Sequence, residues 1–204
     1  MSPDQAVYVV DDDAAVRDSM RWLMDSVGLR VEAFDSGEAF LRAISPENSG
    51  CVVLDLRMPG LGGLDVYAQL RERGIDLPVI VVSGHGDVPI AVRALKSGVA
   101  DFVEKPFKDQ ELLDCVQQAL RRDAEQSLQR LRREELTTRY RTLTPRELDV
   151  LRLVVDGQAN KAIGATLGIS QKTVETHRAR VMEKMAAGSV SELVRMTLII
   201  ESQG

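Results

Sequence analysis

Five short apolar runs, "AVYVV", "RVEAF", "CVVLDL", "LPVIVVS" and "DFVEK", alternate through the front half of the chain with stretches of helical periodicity. Those stretches are "AAVRDSMRWLMDSVG", "EAFLRAI", "LDVYAQLRERG" and "VPIAVRALKSG". Strands separated by helices need crossover connections, and crossovers pair the strands in parallel with helices on both faces. An α/β fold with a five-stranded parallel sheet is the expectation. In such a sheet the functional crevice lies outside the carboxyl ends of the strands, where strand order reverses.

The polar residues at those ends form a pattern. Asp11 and Asp12 follow the first run, Asp55 ends the third, Ser83 ends the fourth and Lys105 follows the fifth. If the runs are strands, three carboxylates, a hydroxyl and an ammonium converge on one mouth. Close carboxylates repel one another unless a cation neutralises them, and an all-oxygen donor set with room for water suits Mg²⁺. A carboxylate beside such a cation and a lysine can attack phosphorus and hold an acyl phosphate. The bland alternative is that Asp11 to Asp13 only cap the next helix. For Asp13, directly before the helical run, capping is the preferred reading.

Composition excludes several classes. The chain has 204 residues, of which 44% are hydrophobic and 28% charged, ordinary for a globular protein. No apolar run approaches the roughly 20 residues that span a bilayer, and the start lacks a basic, then apolar leader pattern. Cys51 and Cys115 have no CxxC or Cys/His spacing and read as reduced core residues, so a cytoplasmic location is expected. Charge divides the chain. Residues 1–108 carry a net −6, whereas residues 143–204 carry +1. Two modules with different partners are implied.

The stretches "VVDDD", "LDLRMPGLGGLD", "VVSGHGDVP" and "FVEKPF" resemble the receiver domain of two-component response regulators, most closely the FixJ type. The resemblance implies a flavodoxin-like sheet of order 2-1-3-4-5. It implies that Asp55 is the phospho-acceptor, and that Asp12, Asp55 and the carbonyl of Arg57 bind Mg²⁺ with Asp11 acting through water. Ser83 would bond the phosphoryl group and Lys105 would pair with its charge, across a cis Lys105–Pro106 peptide. Phe102 fills the aromatic switch position beside Ser83, so switching there would proceed by packing, without a hydroxyl. His85, two residues past Ser83, is either a solvated loop residue or, with Arg57, a modulator of phosphate loss.

From Asp109 to about Arg141 there is neither Pro nor Gly, and Leu, Gln, Glu, Arg and Ala dominate, which favours a long helix. Leu112, Leu113, Val116, Ala119 and Leu120 give its first part an apolar face. Beyond them Ala124, Leu128, Leu131 and Leu136 leave a thin stripe, either a solvated spacer or a short dimerising coil.

In "LTPRELDVL", Thr144 reads as an N-cap, Pro145 as the first helical residue and Glu147 as the reciprocal member of a capping box. Gly157 and Gly168 end two successive helices, Asn160 can cap the second, and Ser170 caps "QKTVETHRARVMEKM". Val174, Val181 and Met185 would bury one face of that last helix. A short helix, a Gly-containing turn and a longer helix with a polar outer face form a helix-turn-helix pattern, although an ordinary amphipathic surface helix fits the periodicity too.

The segment from Leu143 to about Ile200 resembles the LuxR-type DNA-binding domain that follows receivers in the NarL/FixJ family. The resemblance implies base contacts from Glu175, Thr176 and Ala179, and phosphate contacts from Asn160, Lys161, Lys172, Thr173, His177, Arg178 and Lys184. A carboxylate at Glu175 would favour the amino group of cytosine. The division expected is 1–120 receiver, 121–141 helical linker and 142–204 helix-turn-helix domain.

The resulting expectation is a transcription regulator, not an enzyme. A sensor histidine kinase phosphorylates it, it dimerises when phosphorylated, and it binds promoter DNA beside RNA polymerase without a membrane partner. A Mg²⁺-dependent aspartyl-phosphate hydrolase would want a second acid two residues after its nucleophile, where this chain has Arg57. A receiver that only docks proteins would leave residues 143–204 without DNA affinity.

Overall fold

In a computed structural model the chain is described over residues 5–84 and 96–201. It divides into two compact units, Met1–Ser127 and Leu128–Gly204. His85 and the residues Val88, Ile90, Val92 and Leu95 of the helix expected after the fourth strand lie outside the described residues. Among the described residues no helix is long and apolar enough to cross a membrane.

The first unit is built on β1 (Ala6–Val10), β2 (Val31–Phe34), β3 (Gly50–Asp55), β4 (Val79–Ser83) and β5 (Asp101–Glu104). All pairings are parallel and the order is β2-β1-β3-β4-β5, as expected. The strands are apolar on both faces because both faces are covered. Ala6, Tyr8, Val10, Val52, Leu54, Val79 and Val81 point to one side, against Phe40 and Leu41 of α2 (Gly37–Ala43) and Val66 and Leu70 of α3 (Gly63–Glu72). Val7, Val9, Cys51, Val53, Ile80 and Val82 point to the other. There they meet Met20 and Met24 of α1 (Ala14–Ser26) and Leu112, Val116 and Leu120 of the long helix α4 (Asp109–Arg141). This period of two assigns each strand residue to one of two cores. Cys51 is fully buried in the second, where burial pushes its thiol well above the ordinary range, and both cysteines are free.

Glycine is required where chain segments touch. A Cβ on Gly63 would lie 2.4 Å from the Asp55 carbonyl oxygen and 3.0 Å from Leu56 Cα. The bare backbone there lets α3 start directly beneath the end of β3.

The second unit packs α5 (Pro145–Val155), α6 (Asn160–Leu167), α7 (Gln171–Met185) and α8 (Val190–Glu201) around Leu151, Ile163, Val174, Val181, Met185 and Leu193. The capping box at the start of α5 is present: Glu147 N–H donates to Thr144 Oγ1 at 3.3 Å and Thr144 N–H donates to Glu147 Oε2 at 2.8 Å. Gly168 ends α6 in the left-handed region (φ 65°), and Thr173 N–H donates to the Ser170 cap at 3.1 Å. The expected cap at Asn160 is corrected. Ala159 occupies the cap position without a side-chain bond, and Asn160 is the first helical residue. Its amide oxygen instead accepts from Arg178 Nη1 at 2.8 Å, a partner 18 residues away.

Candidate functional site

The carboxyl ends of β1, β3 and β5 meet at one ammonium. Lys105 Nζ donates to Asp11 Oδ2 and to Asp55 Oδ1, each at 2.7 Å. Asp11 and Asp55 are buried, 2% and 7% exposed, so the pair of carboxylates shares one cation away from bulk water. The remaining oxygens are held by backbone: Asp13 N–H donates to Asp11 Oδ1 at 2.9 Å, and Arg57 N–H donates to Asp55 Oδ2 at 2.6 Å. Burial pushes the Asp55 carboxyl above its ordinary range, against the pull of the Lys105 ammonium. Burial opposes the charge on Lys105, but the two carboxylates outweigh it and raise its pKa above the ordinary lysine value.

Ser83 ends β4, buried, in register with Glu104, and its carbonyl accepts from Lys105 N–H at 2.7 Å. The Lys105–Pro106 peptide is cis. Phe102 sits in β5 opposite Val81, half-buried against the core that contains Tyr8 and Phe40. Arg57 and Asp12 are exposed. The side chains brought into contact here are thus the two carboxylates of Asp11 and Asp55 and the ammonium of Lys105, with Ser83 joined to Lys105 through its backbone carbonyl. Asp13 caps α1, its Oδ1 accepting from Ala15 N–H at 2.8 Å and Val16 N–H at 3.4 Å.

The donor set can be tested against Mg²⁺. Among the described residues no three carboxylate, imidazole or thiolate groups form a metal centre by themselves. Mg²⁺ does not need that, since it takes one or two carboxylates and keeps several waters. Asp11 and Asp55 bring two carboxylates against one ammonium, with Asp12 next in the chain. An excess of buried hard oxygen donors fits Mg²⁺ and does not suit a softer metal.

The second candidate surface is α7. Val174, Val181 and Met185 are buried at 0%, 1% and 0% exposure. Lys172, Glu175, Thr176, Ala179 and Arg180 are exposed, and Thr173, His177 and Arg178 are half-buried; Lys161 on α6 is exposed as well. Glu175 Oε1 accepts from Gln171 Nε2 at 3.1 Å, which steadies the carboxylate on the outer face. The turn before α7 is tight because Gly164 faces the Ile169 carbonyl oxygen, 2.8 Å from where its Cβ would be. Lys184 is placed differently from the rest. Its ammonium donates to buried Glu147 Oε2 at 2.6 Å and to the Thr142 carbonyl at 3.1 Å. That ammonium and the Thr144 N–H hold the Glu147 carboxyl down to about 2.

Two residues that the sequence reading passed over are engaged in the first unit. Asp123 on α4 is buried, and its Oδ2 accepts from Ser49 Oγ at 2.6 Å, Gly50 N–H at 2.8 Å and Gln5 Nε2 at 3.0 Å. Arg17 on α1 donates from Nη1 to the Asp11 carbonyl at 2.7 Å. The apolar stripe of α4 also divides: Leu136 is buried in the second unit's core, while Leu128 and Leu131 are exposed.

Comparison with known proteins agrees with this layout. Residues 7–117 match the family of response regulator receiver domains, and residues 141–197 match the luxR family of bacterial regulatory proteins. The chain is 50% identical over 193 residues to the transcriptional regulatory protein FixJ of Azorhizobium caulinodans, covering 95% of this chain and 92% of that one. It is 44% identical to the response regulator protein TodT of Pseudomonas putida, covering 94% and 84%. Among solved structures it is similar to the response regulator StyR, with 41% identity, a TM-score of 0.86 and coverage of 95% and 98%.

Proposed function

Since the chain belongs to the two-component response regulators of the NarL/FixJ family, with a receiver domain and a LuxR-type DNA-binding domain, we propose that it converts phosphorylation of Asp55 into occupancy of promoter DNA. The observation that carries this reading is the single ammonium shared by two buried carboxylates at the carboxyl edge of the sheet. A charge-paired carboxylate in a partly dry cleft is ready for phosphoryl transfer, because catalysis of that reaction is mostly positioning and charge stabilisation.

In this reading the donor is a phosphohistidine of a sensor histidine kinase. An Asp55 oxygen attacks phosphorus, the P–O bond forms as the P–N bond breaks, and the imidazole leaves with the electron pair. Asp12, Asp55 and the Arg57 carbonyl would hold Mg²⁺, and Asp11 would act on it through water. The bound cation supplies charge neutralisation for the phosphoryl oxygens. Lys105 follows the transferred charge, and the Ser83 hydroxyl donates to a phosphoryl oxygen. Movement of Ser83 leaves space into which Phe102 repacks.

Residues 1–120 act as the receiver, 121–141 as the helical linker and 142–204 as the DNA-binding domain. Glu175, Thr176 and Ala179 read base edges, while Asn160, Lys161, Lys172, Thr173, His177 and Arg178 position the helix on phosphates. Lys184 contributes by fixing the start of α5 through Glu147. Phosphorylation favours a homodimer, which raises the local concentration of the second DNA-binding domain at its half-site. The protein acts in the cytoplasm, on promoters engaged by RNA polymerase.

Intact-mass measurement after incubation with acetyl phosphate and Mg²⁺ tests the chemistry. One added phosphoryl group is expected on the native protein and none on Asp55→Asn. Normal labelling of the Asn variant would overturn the assignment.

A further inference from the structure

Every polar group of Asp11 is held. Its N–H donates to the Phe34 carbonyl at 3.2 Å, and its two carboxylate oxygens accept from Asp13 N–H and Lys105 Nζ. Its carbonyl lies past Val10, the last residue of β1 with strand partners, and accepts from Arg17 Nη1 at 2.7 Å. Arg17 also donates its own N–H to the Asp13 carbonyl at 3.0 Å. One residue of α1 thus ties both ends of the acidic turn 11–13, with a half-buried side chain, while Asp12 between them is exposed.

A guanidinium beside this turn has two opposed consequences for a divalent cation. Its charge repels the cation, and removing it alone would tighten binding. Its hydrogen bond fixes the plane of the Asp11–Asp12 peptide, which sets the direction in which the Asp12 side chain leaves the backbone. If that peptide were loose, it would have to be ordered at each binding event. Groups that orient metal ligands typically govern about 10–100-fold in affinity. A solvent-screened, half-exposed charge governs less.

We propose that Arg17 is a positioning residue for the divalent-cation site, presenting Asp12 at the mouth by holding the Asp11 carbonyl. The proposal rests on the reading of Asp12 as a cation ligand. It makes the first turn of α1 part of the site, through a residue that touches neither cation nor phosphate.

Calorimetric titration of the full-length protein with MgCl₂ tests it, using the native chain, Arg17→Met, Arg17→Lys, Asp12→Asn and the Arg17→Met/Asp12→Asn double variant. Arg17→Met should bind Mg²⁺ roughly tenfold more weakly. Arg17→Lys should recover most of the loss, because an ammonium can reach the same carbonyl. On the Asp12→Asn background the Arg17 substitution should have no further effect, since the ligand it orients is gone. Circular dichroism in EDTA establishes folding, and if Arg17→Met does not fold, Arg17→Gln takes its place. Tighter binding by Arg17→Met would show that charge dominates and would overturn the proposal. An equal, additive loss with and without Asp12 would make Arg17 a merely structural residue and overturn it too. Native Mg²⁺ affinity in Asp12→Asn would instead overturn the ligand reading itself, a result distinct from either.

Discussion

Replacing Lys105 by Met should make the protein bind Mg²⁺ more tightly while destroying its response to phosphorylation. The ammonium sits 2.7 Å from oxygens of both Asp11 and Asp55, with its side chain 26% exposed and theirs 2% and 8%. A cation entering between those carboxylates must displace at least one of these contacts. A hydrogen bond between charged groups contributes about 1.5–3 kcal/mol, so removing the competitor should strengthen Mg²⁺ binding by roughly tenfold or more. Part of that gain is lost because an unpaired Asp55, already pushed upward by burial, holds its proton more firmly. Raising the pH of the titration limits that loss. Calorimetry at fixed ionic strength gives the two affinities, and sedimentation with beryllofluoride gives the response. Unchanged or weaker Mg²⁺ binding by a folded Lys105→Met protein would refute the idea that lysine and metal compete for one site.

Lys184→Met should destabilise the DNA-binding unit by about 1–3 kcal/mol, because buried Glu147 loses a charged donor. Glu147 has a lowered folded pKa, so its contribution is complete above the ordinary carboxylate range and is lost as pH falls toward about 2. In the variant that loss should begin at higher pH, visible as an earlier acid transition in circular dichroism. Gly63→Ala should cost about 1–3 kcal/mol in urea unfolding and slow phosphorylation, since its Cβ would press on the Asp55 carbonyl. Glu175→Ala should relax preference at one base pair by about 1–3 kcal/mol, whereas Lys172→Ala should weaken all sequences alike; competition binding across single-base variants separates the two.

The parts of this molecule that were legible in the sequence are those whose cause is local. The strands announce themselves as apolar runs because a doubly covered sheet buries both of their faces. Which face each residue takes, Tyr8 with Phe40 or Val9 with Met24, depends on register across the sheet. The Thr144–Glu147 capping box lies within four consecutive residues and is readable as such. Asn160 looked like a cap by the same local rule, but Arg178 claims its side chain from the next helix. In the sequence Lys184 is expected among the phosphate contacts, and only folding brings it to Glu147, 37 positions away. Asp123 stands in a stretch of mixed charge that suggests a solvated helix, yet its three donors, on Gln5, Ser49 and Gly50, lie 73 to 118 positions away in sequence. At the acidic turn the order of polar residues at the ends of the apolar runs pointed to the grouping of Asp11, Asp55 and Lys105 that the fold brings into contact. That order could not reveal that Asp11 would be buried and Asp12 exposed, because that division depends on Lys105 and Arg17 arriving from elsewhere.

The most direct test of the account is DNA affinity measured together with the state of Asp55. The native protein and Asp55→Asn, each with and without acetyl phosphate and Mg²⁺, would be titrated onto an operator fragment selected from random DNA while sedimentation follows their mass. The account expects the native protein alone to respond, with affinity rising as monomers become dimers, and Asp55→Asn to stay at the unphosphorylated level throughout. A native protein whose affinity is indifferent to phosphorylation, or an Asp55→Asn protein that responds equally, would contradict it.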